Sequence, residues 1–138
     1  MPENYFDLVG EGQQNADGTY RQGELWRCLP GERVVLIHQP NNPHDENAIL
    51  VVSCRAIGIG YVRRGEAESL VRAIANVPYL AFINEMRGGL PNYPSYGVEI
   101  GVAWNGEVLP QPVGLDYEQL AYRNSTKPPR LRKFLGVF

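Results

Sequence analysis

The segment Pro40-Asn41-Asn42-Pro43-His44-Asp45-Glu46-Asn47-Ala48-Ile49 gathers the side chains best suited to contacting a polar ligand. An ionised carboxylate accepts hydrogen bonds and donates none, so Asp45 suits a hydroxyl partner and repels a phosphate. Aspartate also caps backbone amides in turns, and both uses are open for Asp45; Asn41, Asn42 and Asn47 read as turn formers. His44 adds an imidazole, a polar ring with both a donor and an acceptor nitrogen. Farther on, Tyr61 and Val62 precede Arg63-Arg64. Two successive cations suit contacts to phosphates. The same residues also read as a core tyrosine and a solvated helix entry.

Catalytic arrangements find little support. Asp45 and Glu46 are adjacent, so on a strand or loop they diverge instead of forming an acid/base pair. Cys28, His38, His44 and Cys54 match no common zinc spacing, and two of them fall inside apolar strands. No phosphate-binding glycine fingerprint is present. The expectation is a non-enzymatic module with no metal and no cofactor. Cys28 and Cys54, far apart and outside any CxxC pair, allow one disulfide by count but read rather as two free, buried thiols of a cytoplasmic protein.

The 138 residues fit a single domain, with 43% hydrophobic and 20% charged residues, as in ordinary globular chains. A net charge of -2 excludes a wholly basic surface, so any nucleic-acid contact must be a local patch. No apolar stretch approaches the roughly 18 residues of a membrane span, and the acidic start Met-Pro-Glu-Asn-Tyr does not read as a secretory signal. Membrane association is not expected.

The elements that must position these groups are mainly strands. Tyr5–Val9, Arg33–Gln39, Asn47–Cys54, Ala56–Val62, Val77–Met86 and Tyr96–Trp104 carry strand patterns, with Arg33–Gln39 read as a buried strand. Asp17-Gly18 and Asn105-Gly106 read as turns, and Arg87–Ser95, rich in Gly, Pro and Asn, as a loop carrying Tyr93. Tyr79, Phe82, Tyr96 and Trp104 are expected in the core. Tyr20–Leu29 is ambiguous between a helical turn and an irregular strand. Ala67, Leu70, Val71 and Ile74 form one apolar stripe and predict a helix over Gly65–Asn76, ended by Asn76 and Pro78. Residues 109–138 read as a C-terminal arm with at most a short helix near Asp116–Tyr122. Arg123, Lys127, Arg130, Arg132 and Lys133 form a basic cluster there, either a solvated tail or a track for a nucleic-acid backbone. Six strands with one or two helices predict a mainly β fold, a small OB-like six-stranded barrel.

A strand, an N-P-x-D-x-N-A loop, a second strand and a Gly-Tyr-Val strand leading into basic residues resemble the HIRAN domain family. The resemblance runs from about Tyr5 to about Asn76 and includes Leu29-Pro30-Gly31-Glu32. The family occurs in bacterial proteins and at the N-terminus of Swi/Snf-type translocases of DNA-damage tolerance. It implies an OB-like barrel that recognises the free 3′-hydroxyl of single-stranded DNA, with a DNA-processing enzyme as candidate protein partner. Carried over by position, the resemblance gives the hydroxyl acceptor to Asp45, aromatic contacts to Tyr20, His44 and Tyr61, and phosphate contacts to Arg63 and Arg64. His44 stands where the family commonly has tyrosine, and an extra loop, Glu11–Thr19, separates Tyr20 from the first strand. The rival expectation is a protein-interaction or structural barrel, which would need an exposed apolar surface in place of an electropositive aromatic groove.

Overall fold

A computed structural model describes residues 2–130. Alternating inward apolar residues build six strands: β1 (Tyr5–Val9), β2 (Arg33–His38), β3 (Ile49–Ser53), β4 (Gly58–Val62), β5 (Tyr79–Leu90) and β6 (Tyr93–Trp104). They close into an antiparallel barrel in the order β1-β4-β3-β2-β5-β6, with β6 returning to β1. Along β2, Val34 and Leu36 point inward while Val35 and Ile37 are exposed, so this strand is half-buried and not the buried strand its β-branched run suggests. Phe6, Leu36, Ile49, Val51, Ile83, Val98 and Ile100 are among the residues filling the interior.

Among the described residues three short helices accompany the barrel, one more than the upper count expected: α1 (Arg21–Leu25), α2 (Arg64–Asn76) and α3 (Tyr117–Asn124). On α2 the apolar stripe meets the core as its spacing predicts, with Ala67 and Leu70 buried and Val71 and Ile74 packed beside them. The α3 start carries a reciprocal cap: Asp116 Oδ1 accepts from Gln119 N at 2.8 Å, and Gln119 Oε1 accepts from Asp116 N at 3.0 Å. Among the described residues no helix is long and apolar enough to cross a membrane.

The segment read as the Arg87–Ser95 loop is instead the tip of one long hairpin, β5 running to Leu90 and β6 starting at Tyr93. Gly88 and Gly89, at φ 75° and 67°, carry a register shift there, and a Cβ on Gly88 would collide with the Ser95 carbonyl. Glycine here permits a bulge and does not end the strand. Tyr93 is exposed at that tip, while Tyr96 and Trp104 are buried. Phe82, expected inside, faces outward and is half-buried over Gly101, the residue opposite it.

Both cysteines are free, but only Cys28 is buried; Cys54 lies exposed just past the end of β3. Burial pushes the Cys28 thiol up to about 12, helped by the Glu24 carboxylate. Cys28 is therefore a protonated, unreactive thiol at neutral pH. Titration of the native protein with a thiol reagent should modify Cys54 rapidly and Cys28 only after unfolding. Equal rates for both thiols would contradict this burial.

Candidate nucleic-acid interface

The β2–β3 loop is shaped by its own asparagines. Asn42 Oδ1 accepts from the amides of His44 (2.9 Å) and Asp45 (3.3 Å). Asp45 Oδ1 accepts from the Asn47 amide at 2.9 Å. The capping use of Asp45 is thus present, but it occupies a single oxygen. Asp45 Oδ2 has no hydrogen bond among the described residues and lies 3.9 Å from Arg64 Nε. The Asp45 side chain is 19% exposed and that of Arg64 81%, so a recessed acceptor stands beside a projecting cation.

Tyr61 joins this loop through an intermediate. Its hydroxyl donates to Gln39 Oε1 at 2.8 Å, and the same oxygen accepts from Asn42 Nδ2 at 3.0 Å. Tyr61 lies between Leu50 on β3 and Val9 on β1. The ladder slips between Val51 and Val52, where Ile59 is the extra residue on β4. Past that slip Tyr61 is half-exposed while Val62 returns to the core. The Arg21 guanidinium stands 5.2 Å from the Tyr61 ring centroid, covering one face. Arg21 is buried and anchored by Gly10 O (2.7 Å) and Asn15 Oδ1 (2.8 Å). Burial lowers its pKa, opposed by Tyr61 and Glu11, and the guanidinium stays charged.

Asp45, Arg64, Tyr61 and the His44 backbone therefore belong to one linked neighbourhood. Two other candidate residues are placed differently. Arg63 turns toward Asp7, with Nη2 3.3 Å from Oδ2, and Asp7 also holds Arg87 at 3.1 Å. Tyr20, the N-cap of α1, lines a separate groove together with the C-terminal arm. The extra loop bears on both Tyr20 and Arg21: Gln14 forms an isolated antiparallel bridge with Tyr20, and Asn15 Oδ1 holds Arg21 while its Nδ2 donates to Gly58 O at 2.9 Å.

Sequence reasoning missed Arg21, Gln39 and the bridging role of Asn42. A glutamine at a strand end and an arginine beside Tyr20 carry no signal until the barrel brings them against Tyr61. It also misplaced Arg123, grouped with a basic cluster that reads either as a solvated tail or as a backbone track. Arg123 is buried, donating to Cys28 O at 2.6 Å, to Leu25 O at 3.4 Å and to the Tyr96 hydroxyl at 3.1 Å. It holds the end of α1 and does not face a ligand. Arg132 and Lys133 of that cluster lie outside the described residues.

The family model for the HIRAN domain matches residues 9–91, more than half of the chain. The chain belongs to the HIRAN domain family. HIRAN domains are in general DNA-binding modules. The loop, the Tyr61 strand and α1 all lie inside the matched span, whereas α3 and the arm lie beyond it. Among solved structures, a protein from Lactobacillus plantarum is similar at 16% identity with a TM-score of 0.54, covering 72% of this chain and 92% of its own. That likeness speaks to the fold. The HIRAN domain of human HLTF is similar at 17% identity with a TM-score of 0.49, covering 91% of each chain. No curated protein matches the sequence.

Proposed function

We propose that this HIRAN domain binds single-stranded DNA by its free 3′ end, as a non-enzymatic module that brings such ends to a DNA-processing enzyme in the cytoplasm. The observation that carries this reading is the divided use of Asp45. One oxygen is held by the loop, and the other is left as an acceptor beside Arg64. A terminal nucleotide offers the matching pair of groups. Its 3′-hydroxyl donates to Oδ2, while its own phosphate meets the guanidinium. A strand ending in phosphate presents like charge to Asp45 and no donor. His44, exposed on the loop, and the half-exposed Tyr61 supply surfaces for the terminal bases. Arg64 is the freer of the two arginines and takes the larger share of phosphate contact, Arg63 being engaged by Asp7.

The test is Asp45→Ala. Removing a hydrogen bond to a charged acceptor is expected to cost about 1.5–3 kcal/mol, about ten- to a hundredfold in affinity for a 3′-hydroxyl strand. Affinity for a 3′-phosphate strand should hold or rise, so the preference between the two ends disappears. If Asp45 only caps the loop, the variant will melt earlier and keep the preference of the parent. Anisotropy with labelled strands and a thermal melt separate the two results.

A further inference from the structure

A second concave surface lies away from Asp45. It is a groove of about 960 Å³ between the extra loop, α1 and the C-terminal arm. Arg27, Lys127 and Arg130 line it. All three are exposed, and none has a carboxylate within ion-pair reach among the described residues. Among the described residues, Arg33 is the one other exposed lysine or arginine in that condition, and it lies elsewhere. The single acid in the wall, Glu24, is buried and already neutralised by Arg55 at 2.6 Å. A protein with net charge -2 thus collects unneutralised positive charge in one concave place.

The arm that supplies two of these cations is seated along α1. Arg123 grips the carbonyls of Leu25 and Cys28. Trp26 Nε1 then donates to Thr126 Oγ1 at 3.1 Å. Beyond it the Pro129 carbonyl passes so close to Gly23 that a Cβ there would approach it to 2.9 Å. Pro128-Pro129 keeps this stretch extended and limits the freedom of the flanking cations. Tyr20 lines the same groove, and the next residue, Arg21, reaches Tyr61 beside the Asp45 loop. Two consecutive residues thereby link the cationic groove to the proposed end-binding site.

We infer that this groove holds the sugar-phosphate backbone of single-stranded DNA on the 5′ side of the terminal nucleotide. Arg27, Lys127 and Arg130 contact its phosphates, and Tyr20 offers a ring to its bases. The inference rests on the reading that the chain binds single-stranded DNA, and it adds a second subsite built partly from the arm, outside the span matched to the family. Binding should therefore gain from strand length through residues that play no part in choosing the end.

The experiment compares the parent with Lys127→Ala/Arg130→Ala on two probes sharing a 3′-hydroxyl end: a dinucleotide and an oligothymidylate of about twelve nucleotides. Loss of two phosphate contacts should weaken the long strand about tenfold at low salt and reduce its salt slope by about 1.4. The dinucleotide affinity and the preference for 3′-hydroxyl over 3′-phosphate should stay unchanged. Gly23→Ala should reproduce the loss on the long strand with every charge retained, because the added methyl displaces the Pro129 carbonyl. An unchanged salt slope on the long strand, equal weakening of both probes, or full affinity in Gly23→Ala would overturn the inference. So would a polyglutamate peptide that competes as well as the oligonucleotide. If the parent shows no end preference while the double variant still flattens the slope, the end-binding reading fails and the groove stands.

Discussion

Replacing Arg55 by alanine is expected to destabilise the fold by about 3–5 kcal/mol, the cost of stranding a buried charge. Glu24 comes from α1 with its side chain 1% exposed, and its Oε2 accepts from Arg55 Nε and Ser53 Oγ, each at 2.6 Å. Its Oε1 has no partner among the described residues. Arg55 also reaches Glu32 at 3.0 Å, and its pKa is raised by the hydrogen bond to Glu32, against burial, with Glu24 adding to the rise. Without the guanidinium, the Glu24 carboxylate keeps only the serine and the long contact from the Cys28 thiol at 3.9 Å. Arg55 is itself 34% exposed, so water entering its place sets the effect toward the lower end of that range. Chemical denaturation checks the value. Combining Glu24→Gln with Arg55→Ala should recover much of the loss, since the stranded charge is removed as well. A single variant that unfolds at the parent's midpoint would show that α1 does not depend on this ion pair.

Leu70→Ala is expected to cost about 2–5 kcal/mol, the range for a fully buried leucine whose site relaxes incompletely. Leu70 is 1% exposed on the inner face of α2, next to Ala67. Arg64 is the first residue of the helix and Arg63 its N-cap, so its docking also fixes where Arg64 emerges beside Asp45. The variant should therefore lower the denaturation midpoint strongly and, where still folded, weaken DNA binding to a lesser degree. A parent-like midpoint would contradict the packing of α2.

These two sites mark where the sequence was transparent and where it was opaque. The stripe Ala67, Leu70, Val71, Ile74 predicts α2 because helical periodicity and burial coincide. Strands β3 and β4 and the Asp45 loop were legible for similar reasons, as β-branched runs and Asn/Asp turns are local signals. In α1 the buried residues include Arg21, Gln22 and Glu24. Gln22 exchanges two hydrogen bonds with the Tyr96 backbone, at 2.7 and 2.9 Å, and Glu24 meets Arg55. A helix held by buried polar groups shows no apolar pattern, so Tyr20–Leu29 could be read either way. The hairpin tip was hidden by Gly88 and Gly89, which serve a bulge. Arg123 was hidden because its partners, two carbonyls and the Tyr96 hydroxyl, are distant in sequence. At the candidate site Asp45 and Arg64 were visible as residue types, but the Gln39 link and the Arg21 cover on Tyr61 depend on barrel closure.

A direct competition between two single strands that differ only at the 3′ end, one hydroxyl and one phosphate, tests the end-recognition claim most simply. With Asp45 Oδ2 as the acceptor, the parent protein should favour the hydroxyl strand by about ten- to a hundredfold. Equal binding of the two strands by the parent would contradict recognition of the end through Asp45.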